Sequence, residues 1–148
     1  MTLLTYNIHH GAPANPDVIN LENIATVTLP DGTSFDFGAT HFDLTANRVA
    51  QATFLNELNQ DLKKALFIGG DYNAVSSSPE MLELKKEFSF SCLGPCPLTI
   101  PVDKPTKAID FMLSNKLASS RFSLISSTAM TGRAASDHLP LIAVYQYE

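Results

Sequence analysis

The chain of 148 residues has no tryptophan, only two cysteines, and charged residues at just 17%. Without Trp, and without aromatics interleaved with a basic run, it lacks a stacking platform for single-stranded nucleic acid. Ten Lys and Arg against fifteen Asp and Glu leave a formal charge of -5. That balance disfavours sequence-blind binding of duplex DNA, which rests on many Lys/Arg–phosphate contacts. A phosphorylated substrate stays compatible with it, because a bound cation changes the sign of the field inside a pocket. No apolar run approaches the ~20 residues of a bilayer-crossing helix, so a membrane span is excluded. Met1 to Tyr6 contain no basic region leading into a long apolar stretch, so no signal peptide is visible. The cytoplasm is the default location, and a secreted mature form stays open.

What is present is an ordinary globular composition, 45% hydrophobic, with length for one domain over residues 1–148. Cys92 and Cys96 stand in Cys-Leu-Gly-Pro-Cys. A C-x3-C pair with no further Cys or His nearby is a poor zinc signal. The pair reads as two ordinary thiols in a Pro-rich loop, with a local disulfide left open.

Leu3 to Ile8 predicts a buried strand, ended by His9-His10-Gly11 and the Pro13 to Pro16 loop. Asp17 can cap a short helix over Val18 to Ala25. Thr26–Leu29 and Phe35–Phe42 flank Pro30-Asp31-Gly32-Thr33, a hairpin signal. Phe35, Phe37, Ala39 and His41 share one strand face. That places His41 at the C-terminal end of the strand, where α/β active sites tend to lie. Val49, Ala52, Leu55, Leu58 and Leu62 predict a helix from Thr45 to Lys64, with its Asn, Gln, Glu and Asp facing solvent. Ala65 to Ile68 predicts a strand covered on both faces and stopped by Gly69-Gly70. Ser78-Pro79-Glu80 opens another helix through about Phe88. Ala108–Leu113, Phe122–Ser127 and Leu139–Tyr147 are the remaining strands.

Polar residues cluster at the ends of these apolar runs: Asn7, His41, Asp71 with Asn73, Asp110, and Asp137 with His138. Singly, each reads as a turn residue or a hydrogen-bonding partner. Together they offer carboxylate and amide oxygens suited to Mg²⁺, and imidazoles able to move protons or stabilise an oxyanion.

Five blocks in order resemble the endonuclease/exonuclease/phosphatase superfamily, metal-dependent phosphoesterases with a DNase I-like fold. They are Thr5-Tyr6-Asn7-Ile8-His9-His10-Gly11, Thr40-His41-Phe42-Asp43, Gly69-Gly70-Asp71-Tyr72-Asn73, Ile109-Asp110-Phe111-Met112 and Ser136-Asp137-His138-Leu139-Pro140. The resemblance implies an α/β (α+β) two-sheet sandwich flanked by helices and a Mg²⁺ (or Mn²⁺) cofactor. It also implies roles. Asn7 and Asp137 would hold the metal, and His41 would contact the phosphoryl group. Asp71 would take a proton from water that Asn73 locates, and Asp110 would pair with His138.

One block departs from the pattern. Family members follow the first helix with a strand ending in Gln-Glu, whose Glu is the principal metal ligand. Here Glu22-Asn23-Ile24-Ala25 runs directly into the hairpin, so a block is missing between about residues 25 and 26. Glu22 is no obvious substitute, and Asp43, two residues beyond His41, is not taken as one. The first sheet is then truncated to Leu3–Ile8 and the 26–42 hairpin, with residues 65–148 supplying the second. Exposed sheet edges would favour a homodimer. The expected function is hydrolysis of phosphate esters, a small or lipid phosphodiester before duplex DNA. The alternative is a catalytically inactive remnant that binds phosphorylated ligands or another protein.

Overall fold

Apolar runs of four to eight residues bounded by Gly, Pro and Asn give strands, and the two longer periodic stretches give helices. The computed structural model describes residues 1–5, 24–44, 47–132 and 135–148. Their order is β1 (Thr2–Thr5), β2 (Ile24–Thr28), β3 (Ser34–His41), α1 (Arg48–Asp61), β4 (Leu66–Asp71), α2 (Pro79–Leu84), β5 (Phe88–Phe90), β6 (Asp110–Asn115), α3 (Lys116–Ser119), β7 (Phe122–Ala129) and β8 (Leu141–Tyr147). Asn7, Glu22 and most of the helix expected after Asp17 lie outside the described residues. Ile24 and Ala25, expected at that helix's end, belong to β2.

Two sheets result, one in the order β2-β3-β4-β6-β5 and one in the order β1-β8-β7. The fold is the mixed two-sheet sandwich expected, and among the described residues one sheet has three strands. The division of strands differs from expectation. The hairpin β2–β3 joins β4, with Asp36↔Leu66 through His41↔Asp71 in parallel register. A parallel pair needs a crossover, and α1 supplies it. The shorter sheet instead joins the two ends of the chain, with Leu3 opposite Ala143.

Two cores follow from these layers. Leu55, Leu66, Ile68, Tyr72, Met81, Phe111 and Leu113 pack between the helices and the larger sheet. Phe35, Phe67, Met112, Phe122, Ala143 and Tyr145 fill the space between the sheets. There Phe67 meets Phe35, Phe122 and Tyr145 edge-on at centroid distances of 5.3, 5.4 and 4.9 Å, the favoured geometry for aromatic quadrupoles.

Several expectations are corrected. Gly69-Gly70 does not stop β4, which continues to Asp71. A Cβ on Gly69 would lie 2.9 Å from Thr5 Cβ and 3.0 Å from Met112 Cε, and one on Gly70 would run into the Thr40 carbonyl. The glycines permit close approach of neighbouring chain. The buried face of α1 is Ala52, Leu55, Asn56 and Asn59, while Val49 is exposed. The asparagines are buried because they are partnered: Asn56 Nδ2 donates to Glu83 O at 2.8 Å and Asn59 Oδ1 accepts from Asn115 Nδ2 at 2.8 Å. The second helix ends at Leu84; of the residues expected to extend it, 85–87 form a turn and Phe88 begins strand β5. Cys92 and Cys96 form a disulfide instead of two free thiols. Among the described residues, no helix is long and apolar enough to cross a membrane.

Candidate active site

Strand register builds the site. His41 ends β3, Asp71 ends β4 and Asp110 begins β6, and the three are directly opposite one another. Registered residues project from the same face of a sheet. The row therefore lies on the inter-sheet face, at one end of the sandwich.

Beyond Asp71 the chain turns sharply. Asn73 has φ 48°, a left-handed conformation that Asn tolerates better than most residues. Its N–H donates to Asp71 Oδ1 at 2.8 Å, closing a local side-chain turn. The turn carries the Asn73 amide back toward β3, where Nδ2 donates to the Phe42 carbonyl at 2.7 Å. A carbonyl only accepts, so the NH₂ end must face it. The same nitrogen lies 3.1 Å from His41 Nε2, which then accepts.

His138 completes the group from outside the sheet. It is 4% exposed, with Nδ1 2.8 Å from Asp110 Oδ2 and Nε2 3.8 Å from Asp71 Oδ2. His41 Nε2 stands 3.6 Å from the same Asp71 oxygen. Asp71 Oδ2 is thus flanked by two imidazoles. The Ser136 hydroxyl accepts the His138 backbone N–H at 3.2 Å. Asp110 Oδ2 accepts a second hydrogen bond, from Thr99 Oγ1 at 2.5 Å.

Burial, reinforced by the Asp110 charge, holds the Asp71 carboxyl above the usual carboxylate value, against the Asn73 N–H and the two histidines. Burial opposes charging of His138, but the hydrogen bond and charge of Asp110, joined by Asp71 and Asp137, outweigh it and raise its pKa. The result is a carboxylate that is a stronger base than usual beside an imidazole that keeps its proton more readily than usual. One ligand atom each from Asp71, Asp110 and His138 lie within 4.8 Å of one another, close enough to hold a metal ion.

Of the residues singled out in the sequence, His41, Asp71, Asn73, Asp110 and His138 come together. Asp137 is exposed and adjoins His138, on which its charge acts. Asn7 lies outside the described residues. Thr99 escaped the sequence reading. A threonine between Pro97 and Pro101 carries no signal except its place in a Pro-rich loop.

No protein-family model matches the chain, and no curated protein matches it. Solved structures do. An endonuclease/exonuclease/phosphatase family protein from Bacteroides thetaiotaomicron is 18% identical at a TM-score of 0.69, over 80% of this chain and 52% of that one. A mannosyl-6-phosphatase from the same organism is 19% identical at 0.68, over 81% and 54%. A beta toxin variant of Staphylococcus aureus with bound magnesium ions is 14% identical at 0.62, over 81% and 56%. The chain spans about half the length of these structures. Two facing sheets, helices outside the larger one, and these likenesses give the chain the DNase I-like fold of the endonuclease/exonuclease/phosphatase superfamily.

Proposed function

We propose that the protein is a metal-dependent hydrolase of phosphate esters, and that its active site is the group formed by His41, Asp71, Asn73, Asp110 and His138. The observation that carries this reading is Asp71 Oδ2 between two imidazole nitrogens at 3.6 and 3.8 Å. A raised carboxylate pKa suits a general base near neutral pH. Asp71 takes a proton from a water that the Asn73 amide locates, and the water oxygen bonds to phosphorus as the ester P–O bond breaks. His138, charged and fixed through Nδ1 by Asp110, presents Nε2–H to a phosphoryl oxygen, and His41 faces the same group from β3. Asp110 sets the tautomer, as carboxylates do in hydrolase triads.

The donors around His138 fit a hard divalent cation, since Mg²⁺ keeps most of its waters and needs one or two carboxylates besides phosphate oxygens. Asp137 and, by resemblance, Asn7 would hold it. Asp110 and His138 Nδ1 are already engaged with each other, so we assign that pair to proton handling. When bound, Mg²⁺ (or Mn²⁺) neutralises phosphate charge and supports the leaving oxygen. A small or lipid phosphodiester suits the net charge of -5 better than duplex DNA. In this reading residues 1–148 are one domain that lacks an internal block between about residues 25 and 26.

The test titrates Mg²⁺ or Mn²⁺ against hydrolysis of bis(p-nitrophenyl) phosphate, with His138→Ala alongside. We expect metal-dependent turnover and a loss of at least ~100-fold in the variant, the usual contribution of a positioned proton donor. Equal rates would reject the site. A second reading, a silent module that binds phosphorylated ligands, is favoured by one observation: among the described residues, the metal-capable group contains no glutamate. Calorimetry showing stoichiometric Mg²⁺ uptake together with turnover would reject that reading.

A further inference from the structure

Thr99 is fully buried at 0% exposed, and it bonds both to Asp110 and to the backbone of the residue that follows His138. Its hydroxyl donates to Asp110 Oδ2 at 2.5 Å, the same oxygen that meets His138 Nδ1 at 2.8 Å. Its carbonyl accepts the N–H of Leu139, the residue after His138, at 2.8 Å, and its own N–H donates to Lys107 O at 2.8 Å. Three residues on, the Val102 N–H donates to Asp137 O at 2.8 Å. We propose that Thr99 is a positioning residue, whose hydroxyl locks the Asp110 carboxylate in the orientation that fixes the tautomer of His138.

The argument is one of satisfiability. An ionised carboxylate only accepts, and Oδ2 can take two donors at an angle to each other. A short O–H···O⁻ bond belongs to the strong, charge-assisted class. With the hydroxyl on one lone pair, the other is aimed at His138, so Nδ1 carries a proton whether the ring is neutral or charged, and Nε2 faces Asp71. Removing the hydroxyl leaves the carboxyl free to rotate, while the backbone clasp through the Thr99 carbonyl persists. Loss of the hydroxyl should therefore disturb the ring and spare the fold.

This inference rests on the phosphoesterase reading for its kinetic half alone. The experiment compares Thr99→Val and Thr99→Ser with the unaltered protein, reading the His138 ring by long-range ¹H–¹⁵N correlation at alkaline pH. A single Nδ1–H tautomer is expected in the unaltered protein and in Thr99→Ser, and a tautomer mixture in Thr99→Val. In parallel, kcat on bis(p-nitrophenyl) phosphate should fall about tenfold in Thr99→Val at unchanged KM, a modest misplacement of a catalytic group, and return in Thr99→Ser. Should the valine variant lose its fold, Thr99→Ala, which also has no side-chain donor, takes its place. An unchanged tautomer in the variant lacking the hydroxyl overturns the proposal. Absence of turnover in every form would reject the phosphoesterase reading and leave the tautomer comparison to decide on Thr99.

Discussion

In Asp71 the proposed function and stability pull apart in one side chain. Its carboxyl is buried, and burial together with the Asp110 charge raises its pKa. A carboxyl whose folded pKa exceeds its unfolded one binds its proton more tightly in the native state. Its contribution to stability is present below the unfolded pKa and declines as pH rises toward the folded value. Asp71→Asn removes that decline while keeping the shape. We expect the variant to melt higher at pH 7, by roughly 2–4 °C for each kcal/mol gained in a chain of this size. Hydrolysis should fall at least ~100-fold with loss of the base. Thermal scans at pH 4.5 and 7 check the first half: the gain should shrink at the lower pH, and a variant less stable at both would refute the account. The placement of Asp71 and its neighbours was legible because each stands at the end of an apolar run, where a turn residue and a site residue look alike until several occur in order. Thr99 was not legible, since a hydroxyl acquires meaning only from the carboxylate it meets.

Elements were legible where periodicity is long and hidden where it is short. Strands β3, β4, β6, β7 and β8 follow from apolar runs, and α1 from its three-to-four spacing. β5 and α3 have three and four residues, too few to show a period, so Phe88 reads as the end of the preceding helix and the rest of β5 as no element. Polar residues on α1 misled for another reason: an asparagine reads as solvent-facing until its partners are known. Asn115 is such a partner, only 2% exposed. Its Oδ1 accepts from Leu66 N at 3.1 Å and caps α3 through Ala118 N at 2.8 Å. Its Nδ2 donates to Lys64 O at 2.9 Å and Asn59 Oδ1 at 2.8 Å. One amide thereby ties the start of β4, the end of α1 and the start of α3 to β6. Asn115→Ala strands these groups in a buried place, and we expect a loss of about 3 kcal/mol, from one lost cap and unsatisfied buried polar atoms. Urea unfolding measures it. A loss under about 0.5 kcal/mol, the level of an ordinary surface change, would show that the amide does not join these elements.

Sheet membership was the least legible feature, because strand patterns specify a buried face and leave the neighbour open. β1 could have joined the hairpin; it pairs with β8 instead, and the Met1 amino group donates to Tyr145 O at 2.7 Å. That pairing brings Thr5 over Gly69 on the facing sheet. The row of His41, Asp71 and Asp110 depends on this contact at a distance of two residues, since Asp71 follows Gly69 along β4 and projects from the same face. A methyl at Gly69 would meet Thr5 Cβ at 2.9 Å and Met112 Cε at 3.0 Å. The first atom belongs to a stiff β-branched residue held in a strand, so the sheets themselves must part. Gly69→Ala should cost about 2 kcal/mol, within the range for overpacked cores, and should lower hydrolysis by shifting Asp71 between its two histidines. Gly38 provides the control. A Cβ there meets Ile24 Cγ1 at 3.4 Å, an ordinary contact, so Gly38→Ala should leave stability and turnover nearly unchanged. Denaturant midpoints and kcat for both variants test the idea together. If Gly69→Ala behaved like Gly38→Ala, the two sheets would not be in contact beside the site, and its geometry would have to be held from within the larger sheet alone.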